Sequence, residues 1–140
     1  MALMLGGCTP PPEIGVRKDG ATLTVVVGRQ CKASGYLSWL QVRDYDWDKH
    51  EPIGDPLWTI VADKPAAPVP SVTIGTVPAG FREEVNRLAE HPIGRTLEVT
   101  FDDGRRTGVL FDIGKLRDGK VLSSEAKLMT EAAFHSEFGC

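Results

Sequence analysis

The segment Ile14-Gly15-Val16-Arg17-Lys18-Asp19-Gly20-Ala21-Thr22-Leu23-Thr24-Val25-Val26-Val27 indicates a β-rich fold. Two runs of strand-forming residues lie on either side of Asp19-Gly20. An Asp-Gly pair between such runs is a strong signal for a β-hairpin, because both residues tolerate the positive φ angles of a tight turn. The segment therefore predicts two antiparallel strands.

Strand-like segments continue along the rest of the chain. Gly35 to Val42 contains mainly β-forming residues, and Asp44 to Asp48 continues it with aspartate and aromatic residues in strict alternation. In a strand this alternation puts the two kinds of side chain on opposite faces. Thr96 to Phe101 also alternates and turns back at Asp102-Asp103-Gly104, which predicts a second hairpin. Further short strands are predicted at 57–62, 72–74, 106–111, 113–117 and 120–122.

Two segments have helical spacing instead. Apolar residues at i, i+4, i+7 and i+8 predict a short inserted helix that ends at His91-Pro92; they are Phe81, Val85, Leu88 and Ala89. Glu125 to Phe138 predicts a C-terminal helix, with Ser123-Ser124 before it as a source of the N-cap.

Prolines mark the connections. Pro52 to Pro56 and the prolines between Lys64 and Ser71 interrupt the strand pattern, because proline cannot donate a hydrogen bond to a ladder. Many short strands separated by turn residues, without regular alternation of strands and helices, indicate a mainly β chain. We expect a sandwich of about seven or eight strands with one short inserted helix and one C-terminal helix.

Composition is that of a single globular domain. The 140 residues are 41% hydrophobic and 25% charged, with a formal net charge of −3. The acidic balance gives no basic footprint for nucleic acid, so we expect no nucleic-acid partner. No run of 18 or more apolar residues occurs, so no segment of the sequence is predicted to span a bilayer.

The N-terminal segment Leu5-Gly6-Gly7-Cys8 resembles the lipobox of bacterial lipoproteins, in which the cysteine is lipidated and the peptide before it is removed. The resemblance implies that residues 1–7 are the remnant of a signal peptide, that residues 8–13 are the lipidated Cys8 and a proline-rich tether, and that residues 14–140 are one extracytoplasmic domain. A secretory signal needs an apolar run of about 7–15 residues, so we expect the true start to lie upstream or the chain to be trimmed. The alternative is a cytosolic N-terminus that matches by chance.

Two further cysteines are Cys31 and Cys140. Outside the cytoplasm, two such thiols in a small domain pair more often than they stay free, so we predict a disulfide between them. This bridge would hold the C-terminal helix against the sandwich. The alternative is two free thiols, with Cys31 buried in the core.

A family resemblance extends over about two thirds of the chain. It is carried by Pro56-Leu57-Trp58-Thr59-Ile60, by Val72 to Phe81, and by Gly94 with the strand after it. With the lipobox, these segments are similar to those of small actinobacterial envelope lipoproteins that have an immunoglobulin-like domain. The resemblance implies an immunoglobulin-like β-sandwich, but no activity, because that family is functionally uncharacterised. The C-terminal helix departs from the family pattern.

The candidate ligand surface is acidic and aromatic. Asp44, Asp46 and Asp48 begin like a calcium loop, but Lys49 stands where such a loop needs glycine, and Pro52 lies inside it. A solvated strand face explains these aspartates without any ion. Together with Trp47 they are our candidate surface for a sugar or Ca²⁺. Alternating tryptophans are also typical of a core, which is the other reading of Trp39, Trp47 and Trp58.

No catalytic pattern is evident. The three histidines, His50, His91 and His135, lack zinc-motif spacing, and neither a serine nucleophile elbow nor a glycine-rich phosphate loop occurs. We therefore expect no enzymatic activity, no metal and no cofactor. The expected function is a noncatalytic binding or structural module of the cell envelope. It would be anchored to the extracytoplasmic face of the membrane through lipid on Cys8, with another envelope protein or a wall component as partner. The alternatives are an exported ligand-binding or hydrolytic domain and a phage-encoded surface lipoprotein that masks a receptor.

Overall fold

The computed structural model describes residues 13–28, 36–63, 69–89 and 96–138. These residues form two antiparallel sheets of five strands each and a C-terminal helix. The prediction of a mainly β sandwich is confirmed. Ten strands are present in the described ranges, more than the seven or eight expected, because several of them are only three or four residues long.

The first sheet has the strand order β10-β9-β1-β2-β5. Its strands are β1 (Ile14–Asp19), β2 (Thr22–Val27), β5 (Ser71–Thr73), β9 (Lys120–Ser123) and β10 (Leu128–Thr130). The predicted first hairpin is confirmed, with Asp19 paired to Thr22. The loop is Gly20-Ala21, and Gly20 has a φ of 63°, as the first central residue of a type II′ turn requires.

The second sheet has the strand order β6-β4-β3-β7-β8. Its strands are β3 (Leu37–Asp46), β4 (Glu51–Ala62), β6 (Phe81–Asn86), β7 (Thr96–Phe101) and β8 (Arg106–Leu110). Immunoglobulin domains pair strands A, B and E in one sheet and C, F and G in the other. The same neighbour orders occur here in β1, β2 and β5 of the first sheet and in β3, β7 and β8 of the second. The additional strands are β4 and β6 at one edge of the second sheet and the β9–β10 hairpin at an edge of the first.

The core lies between the two sheets. Alternating residues of both sheets point inward, and the largest fully buried side chains among them are aromatic. Trp58 is 0% exposed, and its indole Nε1 donates to Glu83 Oε2 at 2.7 Å. Other fully buried core residues are Ile14, Leu37, Leu40, Ile60, Leu97, Phe101 and Phe111.

A second, smaller apolar cluster lies on the outer face of the first sheet. The helix α1 (Glu131–Glu137) covers this face with Phe134, which is 0% exposed and packs with Val26 and Val121. Thr130 caps the helix, because its side chain accepts from Ala133 N. An ion pair between Glu131 and Arg17 of β1 also joins helix and sheet. The hydrogen bond to Asp19, and to a smaller extent the one to Glu131, raises the pKa of the Arg17 guanidinium.

The inserted helix was predicted wrongly. Residues 81–86 form β6, which pairs with β4 along Trp58 to Ala62. Phe81 and Val85 are four residues apart, a spacing that fits a strand face as well as a helix face. The register with β4 shifts between Glu83 and Val85, so Val85 lies on the opposite face from Phe81 and Glu83 and the strand has no regular alternation. The carboxylate of Glu83 accepts a hydrogen bond from the indole of Trp58.

Three other boundaries were also wrong. β4 continues through Pro52, which pairs with Tyr45 of β3, and through Pro56, which lies where the register with β3 shifts between Ile53 and Trp58. The described part of β6 does not reach either proline. Proline is tolerated there because no described strand pairs with that side of β4. Residues 113–117, predicted as a strand, instead contain a 3₁₀ helix at Ile113–Lys115. The C-terminal helix begins at Glu131 and not at Glu125, because Leu128–Thr130 pairs with β9.

Candidate functional site: an apolar cleft at the open edge of the sandwich

A cleft of about 440 Å³ lies between the β9–β10 hairpin, the 3₁₀ segment and the tip of the β3–β4 hairpin. Its lining is mostly apolar. The lining residues are Trp47, Leu110, Phe111, Asp112, Lys115, Leu122, Ala126 and Leu128.

Three large apolar side chains in this cleft are exposed to solvent. Trp47 is 41% exposed, Leu110 43% and Leu128 41%. Three other large apolar residues in the described ranges are at least 36% exposed, and none of them lines the cleft: Tyr36, Ile53 and Val77. Scattered exposed leucines are ordinary, but exposed apolar groups that converge on one concavity mark a binding surface.

Trp47 is positioned by the turn between β3 and β4. The carboxylate of Asp46 accepts from Asp48 N at 2.9 Å and from Lys49 N at 3.1 Å, which fixes the turn. His50 completes the turn with a φ of 56°. The ring of Trp47 packs edge-to-face on Tyr45, with 5.0 Å between centroids. This tryptophan is therefore held in place although much of its surface is exposed.

The opposite wall is the β9–β10 hairpin. Leu122 and Leu128 face each other across the two strands, and Leu122 packs against the main core. The turn is closed by Ser123, whose carbonyl accepts from Ala126 N and whose hydroxyl accepts from Glu125 N and Lys127 N. Ala126 has a φ of 65°, a conformation that favours glycine.

Two ionisable residues lie in the cleft. Asp112 caps the 3₁₀ helix, where its Oδ1 accepts from Gly114 N at 2.9 Å. Lys115 ends that helix and forms no ion pair within the described ranges. The cleft thus combines apolar walls, one carboxylate engaged in a cap and one cation available to a ligand. This arrangement suits binding.

The structure separates the residues of the predicted ligand surface. Trp47 lines the cleft, whereas Asp44, Asp46 and Asp48 are not among the lining residues, and Asp46 serves the turn. Among the described residues, no group of three or more His, Cys, Asp or Glu side chains is placed to hold a metal ion. Trp58 is a core residue and Trp39 is half-buried.

Several predicted features lie outside the described residues. These are the lipobox with Cys8, the cysteines Cys31 and Cys140, and the residues His91 and Gly94. The disulfide and the lipid anchor therefore remain predictions. No described helix has the length and apolar character needed to cross a membrane.

No family model, no curated protein and no solved structure matches this chain significantly.

Most of the cleft was not predicted from the sequence. Trp47 was identified as a candidate, but Leu110, Leu122 and Leu128 look like ordinary strand residues in sequence. They come together because β8 ends one sheet near β1, whereas β9 and β10 continue the other sheet beyond β1. The one local signal is that Leu122 directly precedes the Ser123–Lys127 turn and Leu128 directly follows it.

Proposed function

We propose that this protein is a noncatalytic binding module of a cell envelope, held at the extracytoplasmic face of a membrane by lipid on Cys8. We further propose that the apolar cleft is its binding site. The observation that carries the second part is the convergence of exposed Trp47, Leu110 and Leu128 on one cleft. The anchoring rests on the lipobox resemblance, and with it we propose that the chain belongs among actinobacterial envelope lipoproteins of immunoglobulin-like fold.

Binding is favoured over catalysis by the chemistry of the cleft. General acid–base chemistry uses a titratable group aimed at the substrate. In this cleft the carboxylate of Asp112 accepts a backbone N–H, and Lys115 is exposed on a short helix. Leucine and tryptophan side chains provide contact area for an apolar partner.

The anchor is tested by fractionation of cells that express the chain with its upstream residues. We expect the wild type in the membrane fraction, and Cys8→Ala either released or retained unprocessed. Recovery of the wild type as a soluble cytoplasmic protein would contradict the anchoring.

The cleft is tested by a photoreactive phenylalanine analogue introduced at Leu128 in the same cells. The matched control carries the analogue at Val77, which is 36% exposed and lies outside the cleft. We expect a discrete crosslinked species from position 128 and none from position 77. Equal crosslinking at both positions would contradict a binding role for the cleft.

A further inference from the structure

We propose that the cleft receives an extended segment of another protein, which pairs as an additional β-strand along the free edge of β8. The segment would have apolar residues at alternate positions and acidic residues at its ends. This inference rests on the proposed function, because it specifies the partner of the same cleft.

The four sheet edges in the described ranges differ in how they are protected. An unpaired edge attracts other strands, and proteins block it with charges, shortness or proline. β6 carries Arg82 and Glu84, and Arg82 also pairs with Asp63 at 3.1 Å. β5 has only three residues and follows Pro70. The edge strands β8 and β10 instead expose Leu110 and Leu128, and both leucines line the cleft.

The two sheets do not end at the same place on this side. β8, the last strand of its sheet, approaches β1, whereas β9 and β10 lie beyond β1 in the other sheet. Leu122 and Leu128 are on the inner face of that overhang. A strand added to β8 would lie across from them and cover them. An extended chain with an apolar face would therefore add a strand to the second sheet and cover the exposed leucines of the first.

The backbone of β8 is oriented to accept such a strand. Phe101 N donates to Arg105 O at 2.9 Å, which makes these residues the first hydrogen-bonded pair of the β7–β8 hairpin. Such pairs alternate in an antiparallel ladder, so Thr107 and Val109 bond to β7. The backbone groups of Gly108 and Leu110 consequently point away from β7, towards the free side.

The charges along this edge specify the ends of the partner segment. Arg106 at the start of β8 and Lys115 in the cleft form no ion pair within the described ranges. A segment with acidic residues near its ends would match both cations. A second copy pairing through its own β8 would bring Arg106 to the Leu110 end, beside Lys115, where like charges oppose each other. The run Pro10-Pro11-Pro12 of this chain cannot serve either, because proline lacks the N–H needed for pairing.

The test begins with a displayed library of random octapeptides, selected on the unlipidated full-length chain (Cys8→Ala). We expect the enriched peptides to alternate apolar residues and to carry Asp or Glu near their ends. A synthetic enriched peptide should slow hydrogen exchange of the Gly108 and Leu110 amides at least about tenfold. The amides of Thr107 and Val109, already bonded to β7, serve as the internal reference. Two further versions of the peptide carry methyl groups on alternate backbone nitrogens, so that each version blocks hydrogen bonding along one edge of the bound strand. The version that is blocked along the edge facing β8 should lose the exchange protection.

Matched variants separate the cleft from general surface effects. Leu110→Lys and Leu128→Lys should weaken peptide binding at least about tenfold. Ile53→Lys and Val77→Lys, at comparably exposed apolar residues outside the cleft, should leave it unchanged. Enrichment of proline-rich peptides, no enrichment at all, or full binding by both methylated peptides would overturn strand addition.

A detergent probe distinguishes this failure from failure of the proposed function. If dodecyl maltoside binds the wild type but not Leu110→Lys while peptides fail, the cleft is a binding site but not for a strand. If neither probe binds, the cleft is not a binding site and both proposals fail.

Discussion

Gly15 of β1 lies directly beneath the ring of Phe134 on α1. A Cβ atom at residue 15 would be 3.2 Å from Phe134 Cε2 and 2.4 Å from Val121 Cγ1. Real Cβ atoms do not approach other atoms as closely as the second distance. The absence of a side chain at residue 15 therefore leaves room for the side chain of Val121 on β9 and also for the close packing of the Phe134 ring on the outer face of the first sheet.

We predict that Gly15→Ala lowers the free energy of unfolding by about 1–3 kcal/mol, the usual cost of overpacking. The measurement is urea unfolding followed by circular dichroism. Gly114→Ala is the control, because its Cβ would meet only Asp112 Oδ1 at 3.4 Å. In the double variant with Phe134→Ala, the two costs should not add, since one substitution relieves part of the clash of the other. Additive costs would mean that the helix does not depend on Gly15.

Trp58 provides the second prediction. It is fully buried, so Trp58→Ala should lower the free energy of unfolding by about 3–5 kcal/mol. Glu83→Leu should cost less, about 1–3 kcal/mol, because it leaves the buried indole N–H without its acceptor. Glu84→Leu, at the exposed neighbour, is the control for the charge change. A loss below about 1 kcal/mol for Trp58→Ala would place this ring on the surface and return it to the candidate sugar-binding residues.

The sequence predicted hairpins more reliably than it predicted helices, for a physical reason. A hairpin such as 96–110 is decided by local features: alternation in the strands and Gly104 with a φ of 90° in the turn. The segment 81–89 was decided by its neighbours instead. Its apolar residues have helical spacing, but pairing with β4 makes residues 81–86 a strand, and a bulge in that strand puts Val85 on the opposite face from Phe81. In the same way, Leu128 and Met129 fit a helix by spacing but pair with β9.

The candidate site was harder to predict because it depends on how far each sheet extends. Trp47 could be identified as an aromatic residue in a polar turn. Nothing in the sequence indicated that Leu110 and Leu128 would share a cleft with it, since strand order is a tertiary property. The aspartates beside Trp47 suggested a ligand surface, but Asp46 already has backbone partners in the turn.

The third prediction concerns two turns of the same design. In both, the fourth residue donates to the carbonyl of the first: Gly104 to Phe101 and Ala126 to Ser123. Both fourth residues have positive φ, which is unfavourable for alanine but not for glycine. Ala126→Gly should therefore raise the free energy of unfolding by about 0.5–1 kcal/mol, and Gly104→Ala should lower it by a similar amount. Thermal unfolding of the two variants and the wild type is the measurement. A destabilised Ala126→Gly would show that the alanine side chain contributes to the cleft wall more than its conformation costs.

The last prediction concerns pH and the turn of the second hairpin. The Arg105 guanidinium donates to Asp103 Oδ2 at 2.8 Å from Nε, and Arg105 N donates to Asp103 Oδ1 at 3.1 Å. These hydrogen bonds, the side-chain bond first, lower the pKa of Asp103 below its ordinary value. A carboxyl group whose pKa is lower in the folded state stabilises the fold above its unfolded pKa, and this contribution is lost as the pH falls through the folded value. We expect a carbon-detected NMR titration to give Asp103 a pKa below the ordinary value of an aspartate. In Arg105→Gln the pKa of Asp103 should rise towards the ordinary value. If the pKa of Asp103 did not move, the side-chain hydrogen bond would not be its cause, and the backbone N–H of residue 105 would be left as the main stabilising partner.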